Sequence, residues 1–240
     1  MTPVIDLIAR HRSIRKFTDE PIPEETLLAV LDAARWASTS SHLQPYSIIR
    51  VQDRALREAI HDHAARQPWI LEAPEFLVFI GDWSRTEAVC AAEGTAFMSG
   101  YLEQVILSSV DTGMLAQNVL LAAESLGLGG VFLGAIRNGI EPIGELLDLP
   151  PLAFPLFGLC LGWPDEAPPP KPRLPLDAIM MTDRYTPGGA PPEYDQHVQA
   201  YYAARSNTAT TWSERVAARV GREGRPQVTT YLHRQDLAIR

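Results

Sequence analysis

The chain has 240 residues and a mass of 26.5 kDa, with 46% hydrophobic and 21% charged residues, enough to bury a core without a metal or disulfide staple, most simply as one domain. Twenty-one basic against 29 acidic side chains leave a net charge of −8 and a pI near 5.3. That balance argues against a nucleic-acid partner and against docking on anionic membranes, since both need a basic surface. Two cysteines, Cys90 and Cys160, stand far apart with no CxxC, so neither a disulfide framework nor a metal site is expected; free thiols fit the cytoplasm.

Thr2-Pro3 reads as an N-cap and first-turn proline of a short helix ending near Arg10. This N-terminus lacks the apolar core and cleavage site of a signal peptide. A second helix starts at Pro23-Glu24-Glu25, buries Leu27, Leu28, Val30, Leu31 and Ala34, and runs out in the polar loop Ser38-Thr39-Ser40-Ser41. Residues 46–51 predict a strand, and Asp53 caps a helix through Leu56, Ile60 and Ala64. The apolar run 76–80 predicts a strand buried on both faces. A long helical region follows from about 95 to 126, with Gly127 as its C-terminal stop. Its stretch 109–126 is apolar on most sides, which predicts a buried helix, covered in part by a second copy of the chain. The most apolar segment, 114–136, carries Gln117, Asn118, Glu124 and several glycines, so no membrane span is expected.

A third strand is expected at 131–136, a short helix capped by Asn138 and reaching Leu149, and a fourth strand at 154–161. Composition changes at Pro164. Nine prolines between Pro164 and Pro192 predict an extended arm, which Leu174, Leu176, Ile179, Met180 and Met181 give something to bury. Helices return at 193–205 and 212–220. The expected organisation is a core over 1–163, the arm over 164–192 and a C-terminal helical segment over 193–240 packing on the core. Strands alternating with helices give an α+β or α/β class.

Four constellations bear on chemistry. His11-Arg12-Ser13-Ile14-Arg15 offers three basic groups and a hydroxyl within five residues, which suits a phosphate and equally describes a solvated basic turn. Lys171-Pro172-Arg173 sets one of only two lysines beside an arginine; the fixed φ of Pro172 holds both cations at a set separation. The glycines 127, 129, 130 and 134 follow a helix and open a strand, the reverse of a dinucleotide fingerprint. Gly134 marks either a bulge or the close approach of a ligand. The loop from Ser38 to Gln44 and the lone amide Gln67 carry weaker signals. No nucleophile, acid–base pair or metal spacing stands out, which suits a protein whose cofactor carries the chemistry.

These segments, with Glu124-Ser125-Leu126-Gly127-Leu128-Gly129-Gly130-Val131, Asp111-Thr112, Ala116-Gln117-Asn118, Pro155 to Pro164 and Tyr201-Tyr202, together resemble the nitroreductase family of FMN enzymes in its NADPH nitroreductase and NADPH–FMN oxidoreductase branch. The resemblance runs over roughly residues 2–235. It implies an α+β fold with a mixed central sheet flanked by helices, and an intertwined homodimer with two FMN sites at the subunit interface. By the same resemblance His11, Arg12, Ser13, Lys171, Pro172 and Arg173 hold the phosphate end of FMN. Arg15 and Gln67 meet the pyrimidine edge, Thr39 and Ser41 come from the polar loop, and Phe132, Leu133, Gly134 and Ala135 run beside the ring.

The implied activity is hydride transfer from NADPH, with NADH as an alternative donor, to flavin N5, and on in a ping-pong cycle to nitroaromatics, quinones or other small planar acceptors. Arg15 and His42 line the substrate site. Relatives place several arginines after the Tyr-Tyr helix; here Arg205 remains, Ser206 to Thr211 holds none, and Arg225 is a possible helper. Modest selectivity for NADPH is expected. The alternatives are a dedicated flavin reductase and a flavin-binding carrier or sensor without turnover.

Overall fold

In the computed structural model, which describes residues 2–186, 188–189, 191–221 and 223–240, the centre is a four-stranded sheet. Strands β1 (Tyr46–Arg50), β2 (Glu75–Asp82), β3 (Gly129–Leu133) and β4 (Ala153–Gly162) pair in the order β1-β2-β4-β3. All three pairings are antiparallel, which corrects the expected mixed sheet. Helical connections do return β3 in the same direction as β2, as the alternation of elements implies. The reversed β4 is inserted between them, so no parallel pair forms among the described residues. The β2–β4 register shifts between Phe79 and Ile80, opposite Pro155, which has no N–H to give to a ladder.

Most helix starts follow the local chemistry. Thr2 accepts from the Ile5 N–H to cap α1 (Pro3–Ala9), and Asp53 accepts from the Leu56 N–H at 2.7 Å to cap α3 (Arg54–His63). Helix α2 (Glu24–Ala34) buries Leu27, Val30 and Ala34, whereas Leu28, expected inside, faces out. Two helices lie where none was expected: α4 (Trp69–Glu72) and α5 (Ser84–Ala92). Helix α6 (Leu102–Ser125) starts later than expected, because Gly100 at φ 94° breaks the chain and the Tyr101 N–H, at the N-cap, donates to the Gln104 side-chain oxygen at 3.1 Å. It stops at Gly127, φ 88°, as expected for a left-handed C-terminal glycine. Strand β3 ends at Leu133, and a 3₁₀ segment, Gly134–Gly139, replaces its expected last residues. That segment moves the start of α7 (Ile140–Leu146) from Asn138 to Gly139.

The core has a layer on each face of the sheet. Strand β2 sends Phe76, Val78 and Ile80 to one side, with Ile60, Ile70, Ile136 and Ile143. It sends Leu77 and Phe79 to the other, with Leu27, Val30, Leu115, Val119 and Leu120. Each such side chain contributes about 1.5–3 kcal/mol by leaving water, and β2 is buried along its whole length. Helix α6 has the length and composition to cross a membrane, but here one face is core: Leu115, Ala116, Val119, Leu120 and Ala123 are buried. The rest of the helix surface is left uncovered within one chain. Leu102, Ile106, Val110 and Met114, spaced every four residues, form an exposed apolar stripe. The last helix of the chain, Pro226–Arg234, packs Tyr231 and Leu232 with Trp83, Ile140, Leu152 and Phe154.

The chain divides into two compact units, one formed by the residues up to Ala167 with Arg225–Arg240, the other by Pro168–Gly224. In the second, most of the Pro-rich segment lacks regular structure apart from a 3₁₀ turn at Leu176–Ala178; of its prolines, Pro187 lies outside the described residues. Two helices follow, Pro192–Ser206 and Trp212–Val220. Their packing includes an edge-on contact of Tyr194 with Trp212, 5.7 Å between centroids.

Candidate functional site

The basic loop at 11–15 is shaped by backbone pairing. Ile14 is buried and its N–H donates to the Gly130 carbonyl at 3.0 Å. Phe17 bridges to Pro164, and the Thr18 N–H donates to the Trp163 carbonyl at 3.0 Å. The loop therefore lies along the ends of β3 and β4. Two carboxylates hold it from the side: His11 Nδ1 lies 2.6 Å from Glu124 Oε1, and the Arg15 N–H donates to Glu166 Oε1 at 2.6 Å. Arg10, Arg12, Glu124, Gly127 and Glu166 line a cavity of about 250 Å³ here. The Arg15 guanidinium sits 5.6 Å from the centre of the Trp69 ring, two residues beyond Gln67. The Trp69 indole N–H is buried without a hydrogen-bond partner among the described residues. The fold thus sets the loop of His11, Arg12, Ser13 and Arg15 beside β3, and the Arg15 side chain reaches Trp69 near Gln67 in sequence.

Further along, Phe132 is 38% exposed and meets Phe157 edge-on at 5.5 Å. Leu133 and Ala135 are buried in the core, so the backbone is what they can offer a ligand. Gly134 lies just past the strand rather than inside it. A Cβ there would meet only the end of the Arg137 side chain, at 3.3 Å; the Arg137 guanidinium also reaches the Leu156 carbonyl. The space over Gly134 is otherwise open.

Thr39, Ser41 and His42 occupy a different place. The Thr39 hydroxyl donates to Asp111 Oδ2 at 2.6 Å, the Ser40 N–H donates to the same carboxylate, and the Gln44 N–H donates back to Thr39 Oγ1 at 2.9 Å. Asp111 is 1% exposed. Ser41, His42 and Gln44 have φ of 49°, 58° and 51°, three non-glycine residues in the left-handed region within four positions. Such strain persists only where surroundings enforce it, and it concentrates at functional loops. Beneath the loop, burial and secondarily the Asp111 carboxylate raise the Tyr46 phenol above its ordinary range, against a lowering by Arg85. Asp111 and Glu124 are both on α6, thirteen residues or about 20 Å of helix apart. Within one chain, the loop of Thr39 and the loop of His11 are thus anchored at well-separated points.

The second unit gathers cations around its tyrosines. The Lys171 ammonium lies 5.1 Å and the Arg215 guanidinium 4.2 Å from the centre of the Tyr202 ring. Arg205 donates to the Tyr201 hydroxyl at 2.7 Å, Arg173 donates to the Lys171 carbonyl at 2.9 Å, and the Tyr194 hydroxyl donates to the Pro172 carbonyl at 3.3 Å. Burial raises the Tyr194 phenol, with Arg173 opposing. Arg225, in the first unit, donates to Asn138 Oδ1 at 2.7 Å.

Sequence reasoning missed Glu124, Glu166, Asp111 and Arg215 as site residues. Glu124 carried a signal: a carboxylate in the last turn of a helix opposes the helix dipole, and so asks for a partner. The others had none, because their partners are distant in sequence or on another helix.

An antiparallel sheet between two helical layers, with a basic loop pinned against its edge, fits a protein that holds a phosphorylated aromatic cofactor. Residues 8–163 match the nitroreductase family and residues 171–240 match the nitroreductase family, C-terminal domain; the chain belongs to the nitroreductase family. It is 46% identical to the oxygen-insensitive NADPH nitroreductase of Salmonella typhimurium over the full length of both chains. Its fold is similar to nitroreductase A from Vibrio parahaemolyticus, TM-score 0.93 at 40% identity, and to the NADPH:FMN oxidoreductase of Vibrio harveyi complexed with NAD+, TM-score 0.92 at 40% identity, each covering 100% of both chains.

Proposed function

We propose that this protein is an FMN-dependent NAD(P)H oxidoreductase acting on nitroaromatics, quinones and other small planar acceptors. The observation that carries the reading is the full-length nitroreductase match combined with the pinned basic loop His11–Arg15. The donor set fits FMN: cations and a hydroxyl at 11–15 suit its phosphate, and the Trp69 N–H beside Arg15, unpartnered among the described residues, suits an acceptor-rich ring edge. Bound FMN supplies a two-electron hydride relay between nicotinamide and acceptor.

The chain's own residues bind and orient. His11, Arg12 and Ser13 hold the phosphate, with Lys171 and Arg173, held by Pro172, supplying further positive charge. Arg15 and Gln67 meet the pyrimidine edge, where Arg15 stabilises negative charge. Backbone groups from Phe132 to Ala135 line the ring, and the open space over Gly134 leaves room for it. Thr39 and Ser41 complete the site, while His42 contacts the acceptor. Donor and acceptor occupy that place in turn, giving ping-pong kinetics. Arg205 and Arg215 meet the 2′-phosphate of NADPH, and Arg225 is a helper.

The protein is a homodimer in this reading. The exposed stripe Leu102, Ile106, Val110 and Met114 supports it, because an apolar helix face of that kind calls for a cover. The separate anchoring of the 39–42 and 11–15 loops supports a site shared between subunits. The free cysteines Cys90 and Cys160 support a cytoplasmic location.

The name of the Salmonella relative favours nitroaromatic acceptors; that of the Vibrio harveyi relative favours free flavin as the acceptor, the second reading. The test is the visible spectrum of the purified protein. A yellow protein bleached by NADPH and rapidly reoxidised by a quinone supports the oxidoreductase, turnover with free FMN but not quinone supports the flavin reductase, and a colourless protein rejects both.

A further inference from the structure

We propose that Glu124 is a positioning residue that fixes the His11 imidazole for the flavin phosphate; the inference rests on the FMN reading above. Glu124 is the penultimate residue of α6, where a carboxylate faces the negative end of the helix dipole. Only 11% of its side chain is accessible, against 26% for His11. A carboxylate that is both against the dipole and withdrawn from water needs a partner, and the fold brings one from 113 residues away: His11 Nδ1, 2.6 Å from Glu124 Oε1.

An ionised carboxylate only accepts, so the hydrogen of this contact belongs to Nδ1. The bond sets both the tautomer and the plane of the ring, and Nε2 is the nitrogen left to face a ligand. The second tie to the same loop, the Arg15 N–H on Glu166 Oε1 at 2.6 Å, is also made by a carboxylate. Negative side chains beside a site for a dianion oppose binding directly. Their place is explained by what they hold: an ordered, preorganised set of donors at 11–15, which loses less entropy when the phosphate arrives.

The test loads the full-length protein with FMN or with riboflavin, which lacks the phosphate, and follows flavin release on dilution by fluorescence. Glu124→Ala is expected to weaken FMN by about tenfold or more while riboflavin stays within about twofold. Glu124→Gln, which keeps an acceptor for Nδ1–H and nearly the same volume, restores most of the FMN affinity. In a His11→Ala background, Glu124→Ala causes no further loss. Equal losses of FMN and riboflavin, an unchanged FMN affinity in Glu124→Ala, or an undiminished loss in the His11→Ala background would each overturn the role of Glu124. A wild-type protein that holds riboflavin as tightly as FMN would overturn the phosphate reading of the loop itself.

Discussion

Thr39 gives its hydroxyl hydrogen to Oδ2 of Asp111 across 2.6 Å, tying a loop with three left-handed residues to the central helix. The same carboxylate accepts the Ser40 N–H. Asp111→Ala leaves both donors without an acceptor, at about 1.5–3 kcal/mol for hydrogen bonds to a charged group. The expected result is a melting temperature lower by about 3–10 °C and a raised KM for a planar quinone, since Ser41 and His42 lose their support. Calorimetry and steady-state kinetics check it; an unchanged KM would show that the loop keeps its shape without the tie.

Arg173→Ala should weaken FMN retention by about tenfold to a hundredfold and leave riboflavin nearly unaffected, because a charged hydrogen bond to phosphate is worth about 1.5–3 kcal/mol. Flavin release on dilution measures both ligands. Equal losses would mean that Arg173, which donates to the Lys171 carbonyl, acts through the local fold of its segment.

Nucleotide selectivity should be modest. The stretch Ser206–Thr211 holds no arginine, and one exposed cation meeting the 2′-phosphate contributes about 1 kcal/mol, roughly fivefold. With Arg205 and Arg215 both contributing, NADPH should exceed NADH in kcat/KM by at most about 25-fold, shrinking as salt rises. Arg205→Ala and Arg215→Ala should each lower the NADPH value and spare NADH. A preference near a thousandfold that survives both substitutions would point to other residues.

Val110→Glu places a charge in the exposed apolar stripe of α6 without touching its buried face. The protein is expected to become monomeric by sedimentation and to lose most of its bound FMN. A dimeric, yellow Val110→Glu protein would place the subunit contact elsewhere.

Tyr231 gives a pH signature. Burial, and after it the Glu145 carboxylate, pushes its phenol from 10.0 up to about 12. The folded state therefore keeps the proton while the unfolded state releases it. The stabilisation is complete below pH 10 and is lost between about pH 10 and 12, amounting to roughly 3 kcal/mol at the upper end. Denaturant unfolding across that window should show a steeper decline for wild type than for Tyr231→Phe; parallel curves would remove the tyrosine from the alkaline transition.

What the sequence disclosed follows physical range. Thr2, Asp53 and Gly127 act within four residues of their own positions, so the helix ends they set could be read locally. The alternating destinations of Phe76 to Ile80 require only that a strand be buried on both faces. Helix α5 could not be read, because Ser84–Ala92 buries no side chain and so has no periodic apolar face. The sheet is antiparallel where alternation implies a mixed one, because the insertion of β4 between β2 and β3 is a property of the whole chain path. Within the candidate site, the basic residues were legible as a cluster, but the carboxylates that hold them lie up to 151 positions away.

Asp111 and Glu124 share one unbroken helix, and this limits how the chain can change in length. Surface loops absorb an added or lost residue with little effect. A single residue inserted between these two anchors would turn one relative to the other by about 100° and shift it by about 1.5 Å. Either the Thr39 loop or His11 would then lose its tie. The segment 111–124 should therefore tolerate substitutions at its surface yet reject every insertion and deletion.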